Sequence, residues 1–205
     1  MSGVEELTRV AQDYLKVIWS ATEWGGPAIT TSGLAARLGT TQASVSDTMK
    51  RLAAQGLVEY RPYHPVRLTD EGSRLALAMV RRHRLLETFL VQTLEYGWDE
   101  VHEEAEALEH SASDGLIDRI DAALGRPVAD PHGDPIPAAD GSIRRPPAVP
   151  LSESSGRNRV VRVSDADPAV LARCRDLGIE LGTVVDAHQV PDEVAAALWV
   201  TPTTG

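Results

Sequence analysis

Side chains that can bind a divalent metal ion recur at helical spacing between residues 83 and 110. One group of four is His102, Glu106, Glu109 and His110. At about 100° per residue, these four fall on one arc of a helix about 100° wide. Upstream, His83 and Glu87 are four residues apart, as neighbours on one helix face are. Any single member would be an ordinary core histidine or a solvated glutamate, but together they form a nitrogen and oxygen ligand set that indicates a divalent metal site.

Apolar periodicity predicts the helices that carry these side chains. The predicted ranges are 70–96, 98–113 and 114–124. The middle helix has an apolar stripe at intervals of four, three and four residues: Val101, Ala105, Leu108 and Ala112. The long first helix has its own apolar seam: Leu75, Met79, Leu86 and Leu90. We expect the three helices to form one layer, with ligand side chains at its edges.

The first 70 residues have the pattern of a winged helix-turn-helix. A helix over 4–22 precedes a short helix from Thr31 or Ser32 to Leu38 and a longer helix over 42–55. Two extended runs, 57–60 and 66–68, predict the hairpin wing. Small polar and basic residues gather where the second helix of the motif would meet a major groove. The predicted DNA-binding residues are Thr40, Thr41, Gln42, Ser44, Ser46, Lys50, Arg51 and Arg61. A winged helix used for protein contacts is the alternative.

Charge and composition narrow the possible classes of protein. Residues 1–96 carry 11 Lys or Arg and 10 Asp or Glu, whereas residues 97–205 carry 9 and 20, so the formal charges of the two parts are +1 and −11. This asymmetry suits a DNA-facing module joined to an acidic, cation-binding module. Cys174 is the single cysteine, which excludes an internal disulfide and zinc sites built on paired thiolates. The chain has no apolar run of membrane-spanning length and no signal-peptide core after Met1, so we expect a cytoplasmic protein.

Over residues 1–141 the sequence resembles the diphtheria toxin repressor and manganese transport regulator family of metal-activated bacterial repressors. The segments that carry the resemblance are Asp13-Tyr14-Leu15, the winged helix, and the runs 82–87, 101–110 and 130–137. The resemblance implies a principal metal site of Asp13, Glu106, Glu109 and His110, and an ancillary site of His83, Glu87 and His102. A metal held in part by Asp13 would fix the DNA-binding domain and so activate the repressor.

The resemblance also bears on the identity of the metal. Iron-sensing members of the family have methionine and cysteine at the positions of Asp13 and Glu106, whereas this chain has oxygen donors. Hard oxygen ligands favour Mn²⁺, with Fe²⁺ or another divalent cation as the alternative. Lys16 occupies the position of a glutamate in a manganese-sensing branch. This difference favours two separate metal sites over a close, carboxylate-bridged pair.

The predicted fold is mainly α with small β elements. Its predicted parts are a winged helix-turn-helix domain over 1–72, a helical metal-binding and dimerisation domain over 73–141, a linker over 142–159, and a shortened SH3-like module over 160–205. Strand-like runs at 160–163 and 183–185 flank a helix over 168–177, and we expect the middle strands, and with them part of the core, to be missing. We therefore expect this module to be auxiliary. Its potential ligands are expected to be turn and cap residues: Asp165, Asp167 and His188.

These features together predict a homodimeric, manganese-activated repressor that binds operator DNA and controls metal homeostasis genes, not an enzyme. Two features favour the dimer. The middle domain has long apolar helices, and two recognition helices related by two-fold symmetry can enter successive major grooves of a palindromic operator. One alternative is a di-metal hydrolase on a helical scaffold, although the sequence has no separate nucleophile and no phosphate-binding glycine loop. The other is a winged-helix regulator of a small organic ligand, which would need an aromatic pocket, whereas aromatic residues make up only 4% of the chain.

Overall fold

The structure is a computed structural model that describes residues 3–203. These residues are mainly helical with small antiparallel sheets, as predicted. The helices are α1 Arg9–Glu23, α2 Thr31–Arg37, α3 Gln42–Ala54, α4 Asp70–Leu94, α5 Val101–Glu109, α6 Asp114–Ala123, α7 Pro168–Asp176 and α8 Asp192–Ala195. The strands are β1 Val58–Glu59, β2 Arg67–Leu68, β3 Val149–Pro150, β4 Arg157–Val163, β5 Val184–Asp186 and β6 Leu198–Pro202. Within the described residues, no helix combines the length and the apolar character that crossing a bilayer requires.

The chain forms two compact units. The first contains the residues up to Arg82 together with Ala139–Gly141, and the second contains His83–Ala138 and the residues from Ser142 onward. The division falls inside α4, whereas the sequence predicted boundaries at 72, 141 and 159. Those boundaries follow composition and turn signals, which a continuous helix does not show.

The first unit is the predicted winged helix. Helices α2 and α3 form the helix-turn-helix, and β1 pairs antiparallel with β2 to form the wing. Threonine hydroxyls cap the first three helices: Thr8 for α1, Thr30 for α2 and Thr41 for α3. The cap at Thr8 explains why α1 begins at Arg9, with only a 3-10 turn at Val4–Glu6, instead of at residue 4. The core is closed by fully buried side chains: Leu15, Leu34, Val45, Met49 and Leu75.

In the second unit, α5 is shorter than its predicted range, and α6 agrees with its predicted range to within one residue. Helix α5 ends at Glu109, not at Ser113, because Ser113 has extended backbone angles and caps α6 by accepting a hydrogen bond from the Leu116 N–H. The apolar stripe of α5 is buried at Val101 and Ala105. Leu108, the third predicted member, is 39% exposed.

The C-terminal part of the second unit contains a four-stranded antiparallel sheet in the order β3-β6-β4-β5. Strand β3 and the start of β4 lie within residues 142–159, where the proline- and serine-rich composition predicts a linker. Strand β6, which the sequence analysis missed, pairs with both β3 and β4. The sequence leaves open whether this module is fully folded, and the structure gives it a sheet and a core of its own. The sheet and α7 enclose buried side chains that include Val160, Val163, Leu171, Leu198 and Val200.

Candidate metal centre

Four potential ligands meet in the second unit. His83 and Glu87 lie one turn apart on α4, His102 lies on α5, and Asp165 follows β4. Glu87 Oε1 is 2.9 Å from His83 Nε2 and 3.1 Å from His102 Nδ1. Asp165 Oδ2 is 3.3 Å from the same His102 nitrogen. Ligands of one transition-metal ion, each about 2.1 Å from it, lie about 3 Å apart, so these four atoms match the ligand shell of a divalent ion.

A buried carboxylate orients one of these imidazoles. His83 Nδ1 lies 2.7 Å from Glu109 Oε2 on α5, and both side chains are buried. Because a carboxylate only accepts, the Nδ1 hydrogen of His83 donates to Glu109, and Nε2, on the side of Glu87 and His102, is the atom that would ligate a bound ion. Ligating histidines commonly have a carboxylate partner of this kind, which fixes both the tautomer and the ring orientation.

A second group shares Glu87. Glu87, Asp130 and His132 are all buried, and each offers one potential ligand atom. His132 Nε2 is 2.6 Å from the Trp98 carbonyl oxygen, to which it donates, so in the neutral imidazole Nδ1 is the acceptor. Nδ1 lies 3.9 Å from Glu87 Oε2, and neither atom has a hydrogen-bond partner among residues 3–203. Two buried acceptors that face each other require a shared cation or donor, and a divalent ion fits this need.

The charges of the centre support a cation site. Burial alone would raise the pKa of Glu87, but the charge of His83 and hydrogen bonds from His102 and His83 hold it well below its usual range. Burial alone would lower the pKa of His102, but hydrogen bonds to Asp165, Glu106 and Glu87 raise it to about 12. Burial and the neighbouring Asp134 and Glu87 raise the pKa of Asp130. Without an ion the centre therefore holds protons, which a bound divalent ion would displace.

The loop over 130–137 is fixed from several sides within the second unit. Asp130 Oδ1 accepts the backbone N–H groups of His132 and Asp134, at 2.8 and 2.9 Å. The Val163 N–H of β4 donates to the His132 carbonyl oxygen. Gly133 has φ +89°, and a Cβ there would lie 2.2 Å from the Val161 carbonyl oxygen, so only glycine fits. The loop thus holds Asp130 and His132 in place.

A buried ion-pair network supports the same loop. Asp134 Oδ1 accepts a 2.8 Å hydrogen bond from Arg162 Nε of β4 and lies 3.4 Å from Arg84 Nη2 of α4. Arg84 also donates to the Pro135 carbonyl oxygen, and the Arg162 guanidinium stacks 4.2 Å above the Trp199 ring. Each buried charge therefore has a partner, as burial demands.

The other predicted ligands are distributed over both units. Glu106 is exposed on α5, and its Oε1 lies 3.5 Å from His102 Nε2. Glu109 is fully buried at the end of α5, with Oε1 3.8 Å from His110 Nε2. Asp13 is half-buried on α1 in the first unit. The structure thus brings His83, Glu87 and His102 together, and it adds Asp165.

The sequence analysis did not identify Asp130 and His132 as candidate ligands, and it named Asp165 only as a less favoured one. The only signal for Asp130 and His132 is their place in the run 130–137, one of the segments that carry the family resemblance. The sequence favours a turn or cap role for Asp165, and no local pattern distinguishes it as a ligand. For Asp167 the cap assignment is correct, because its side chain accepts the Ala169 N–H at the start of α7. His188 is exposed, and its backbone N–H donates to Asp186.

The predicted DNA-facing residues lie on the helix-turn-helix and the wing of the first unit. Most are exposed, whereas Thr40 and Ser46 are half-buried. Some already have local partners: the Thr41 hydroxyl accepts the Ser44 N–H, Lys50 pairs with Asp47 at 3.1 Å, and Arg51 donates to Thr48. These contacts hold the N-terminal end and one face of α3 in place, with Gln42 and Ser44 exposed.

Comparison with known proteins agrees with this architecture. Residues 6–66 match the family model "Iron dependent repressor, N-terminal DNA binding domain", and residues 69–138 match "Iron dependent repressor, metal binding and dimerisation domain". The iron-dependent repressor IdeR of Mycobacterium tuberculosis is 34% identical over 134 residues, which are 65% of this chain and 58% of that protein. The chain thus spans less than two thirds of the mycobacterial relatives that it matches.

Two further relatives extend the match. The diphtheria toxin repressor of Corynebacterium glutamicum is 30% identical over 89% of this chain and 85% of its own length. A solved structure described as a manganese-dependent transcriptional repressor in complex with manganese is 47% identical over 93% of this chain and 98% of that chain, with a TM-score of 0.86. These matches define the class as winged-helix repressors with a metal-binding domain. The chain belongs to the iron-dependent repressor family, which confirms the resemblance noted from the sequence.

Proposed function

We propose that this protein is a manganese-activated transcriptional repressor that binds operator DNA and controls metal homeostasis genes. One observation carries the proposal: a buried nitrogen and oxygen ligand cluster, in which Glu87 Oε2 and His132 Nδ1 have no partner among residues 3–203, occurs in the same chain as a winged helix. The cluster calls for a cation, and the winged helix offers a surface for a DNA groove. The protein acts as a regulator and not as an enzyme.

We assign the ligands to two sites. The ancillary site consists of His83, Glu87 and His102, to which we add Asp165. Asp130 and His132 extend it on the second oxygen of Glu87. The principal site, assigned by the family resemblance, consists of Asp13, Glu106, Glu109 and His110. A bound ion would supply the positive charge that neutralises these carboxylates.

Manganese is the metal that the donor set favours. The sites contain carboxylates and imidazoles and no sulfur donor, and such sets select hard or borderline ions. A relative that is 47% identical is described as manganese-dependent. Fe²⁺ is the alternative, since two other relatives are described as iron-dependent or diphtheria toxin repressors.

The partners are double-stranded operator DNA and a second copy of the chain. The matched family model covers a dimerisation domain. Leucines on three helices of the second unit are exposed in the single chain: Leu94, Leu108 and Leu116. Apolar groups of this kind suit a homodimer interface. A dimer presents two recognition helices to successive major grooves, and a repressor of chromosomal genes works in the cytoplasm.

The test measures how DNA affinity depends on the divalent ion that is present. Duplexes selected from a random library with the Mn²⁺-loaded protein are titrated by fluorescence anisotropy, under anaerobic conditions, with Mn²⁺, Fe²⁺, Zn²⁺ or EDTA. We expect tight binding with Mn²⁺ and its loss in EDTA. Equal affinity with Mn²⁺ and with EDTA would overturn the proposal. A variant with an exposed glutamate of α5 neutralised, Glu103→Gln, is the control that should behave as the wild type.

A further inference from the structure

The tip of the wing has an unusual backbone for its sequence. The four residues Arg61-Pro62-Tyr63-His64 form a turn in which the His64 N–H donates to the Arg61 carbonyl oxygen at 3.1 Å. Proline occupies the second position and Tyr63 the third, with φ +66°. A turn with proline second and a positive φ third has the pattern of type II, whose third position favours glycine or asparagine. A tyrosine there is conformationally disfavoured.

Within residues 3–203, no packing contact of the Tyr63 side chain offsets this conformation. The Tyr63 side chain is 102% exposed, as open as in an isolated peptide. A residue in a disfavoured backbone region usually persists where the surroundings or a function require it. The first unit thus leaves the whole Tyr63 side chain available to a partner outside the chain.

The surroundings of Tyr63 define the chemistry of that partner. Arg61, His64 and Arg67 are exposed on the same hairpin, with Glu59 as the exposed acid of strand β1. The two guanidinium groups favour a polyanion. A tyrosine hydroxyl donates well to a phosphate oxygen, and such contacts position a protein on DNA without reading its sequence.

We propose that Tyr63 contacts the DNA backbone through a hydrogen bond from its hydroxyl to a phosphate oxygen, with the flanking arginines on neighbouring phosphates. This inference rests on the proposed DNA-binding function and adds a residue that the assigned DNA-binding residues do not include. The turn exposes the phenol at the tip of the wing, in the same unit as the helix-turn-helix.

The test uses two substitutions with separate readouts. Tyr63→Gly removes the side chain but suits the positive φ, so the unfolding temperature should stay unchanged or rise. Tyr63→Phe removes only the hydroxyl. On a selected duplex with Mn²⁺, we expect Tyr63→Gly to weaken DNA affinity about tenfold, equivalent to about 1.4 kcal/mol, and Tyr63→Phe to weaken it severalfold. Both should weaken binding to unrelated duplexes by the same factor, since a phosphate contact carries no sequence preference.

Two other residues are matched controls for the backbone. Glu95 and Arg126, both exposed in the second unit, have φ +60°, so Glu95→Gly and Arg126→Gly make the same backbone change elsewhere. They should leave DNA affinity unchanged. Salt dependence separates the roles on the wing: Arg61→Ala should reduce the slope of log affinity against log salt by about 1 per lost phosphate contact, whereas Tyr63→Phe should leave the slope unchanged.

The outcomes separate this inference from the function on which it rests. If the wild type binds DNA with Mn²⁺ and both Tyr63 variants bind equally well, the inference is overturned and the proposed function stands. A Tyr63→Phe protein with wild-type affinity would also overturn the hydroxyl contact. If the wild type binds no duplex with any metal, the proposed function itself fails.

Discussion

The metal cluster of the second unit buries its polar groups, whereas the DNA-facing surface of the first unit exposes them to solvent. Glu87 and Glu109 have no exposed surface and face imidazoles at hydrogen-bond distance. Gln42 and Lys50, in contrast, lie exposed on α3. Burying a charge is costly, so an unpartnered buried atom points to a ligand that belongs there. Water satisfies an exposed group, so the partner of such a surface must be inferred from charge and shape.

The largest effect is expected at Gly133, in the loop that holds the buried residues Asp130 and His132. The change Gly133→Ala places a Cβ 2.2 Å from a backbone oxygen, so the loop must move. We expect a loss of about 3 kcal/mol in the free energy of unfolding, measured with urea. Gly125→Ala is the control, because it has φ +74° but open space around its Cβ, and it should lose only about 1 kcal/mol. Equal losses would show that the loop tolerates displacement.

Removing the charge of Glu87 tests whether the buried cluster binds metal. Glu87→Gln keeps the shape but removes the negative charge and replaces one of the two carboxylate oxygens with an amide group that cannot ligate a cation. We expect about a 100-fold loss in Mn²⁺ affinity at the second-unit centre, measured by calorimetry and by electron paramagnetic resonance of free Mn²⁺. Glu103→Gln, on the exposed side of α5, should bind Mn²⁺ as the wild type does. Retention of full Mn²⁺ affinity by Glu87→Gln would remove this residue from the ligand set.

A smaller effect is expected at Asp165, which decides whether the C-terminal module is auxiliary. Asp165→Asn removes the carboxylate 3.3 Å from His102 Nδ1. We expect about a tenfold loss in Mn²⁺ affinity, because His83, Glu87 and His102 remain. The matched control lies two residues away: Asp167→Asn keeps the cap of α7, since asparagine caps as well as aspartate. If both variants bind Mn²⁺ alike, the module is auxiliary, as the sequence predicted.

The smallest expected effect is on the exposed side, at Thr41. Its hydroxyl caps α3, so Thr41→Ala should lower the free energy of unfolding by about 1 kcal/mol, whereas Thr41→Ser should retain most of it. Thermal unfolding tests the helix cap, and DNA affinity with Mn²⁺ tests the predicted contact of Thr41 with DNA. Should Thr41→Ser match the wild type in both measurements, the hydroxyl would be sufficient and the methyl group irrelevant to binding.

The sequence predicted the parts of the fold whose signals are local. Apolar spacing identified α4 and α5, and cap residues with a hairpin pattern identified the winged helix. The helix spacing also brought His83 and Glu87 together correctly. Strand β6 was missed because its place in the sheet depends on pairing with β4, about 40 residues earlier in the chain. Asp165 joins His102 across 63 residues, a contact that no local pattern encodes.

The single cysteine allows the opening of the C-terminal module to be measured by chemical labelling. Cys174 has no exposed surface, lies in the core between α7 and the sheet, and has a pKa that burial raises. A protonated, enclosed thiol does not react with an alkylating reagent, so labelling can proceed only when the C-terminal module opens. The rate of labelling therefore measures how often the module opens. A slower labelling rate with Mn²⁺ bound would show that the metal stabilises the closed module, and the ratio of the two rates would measure by how much.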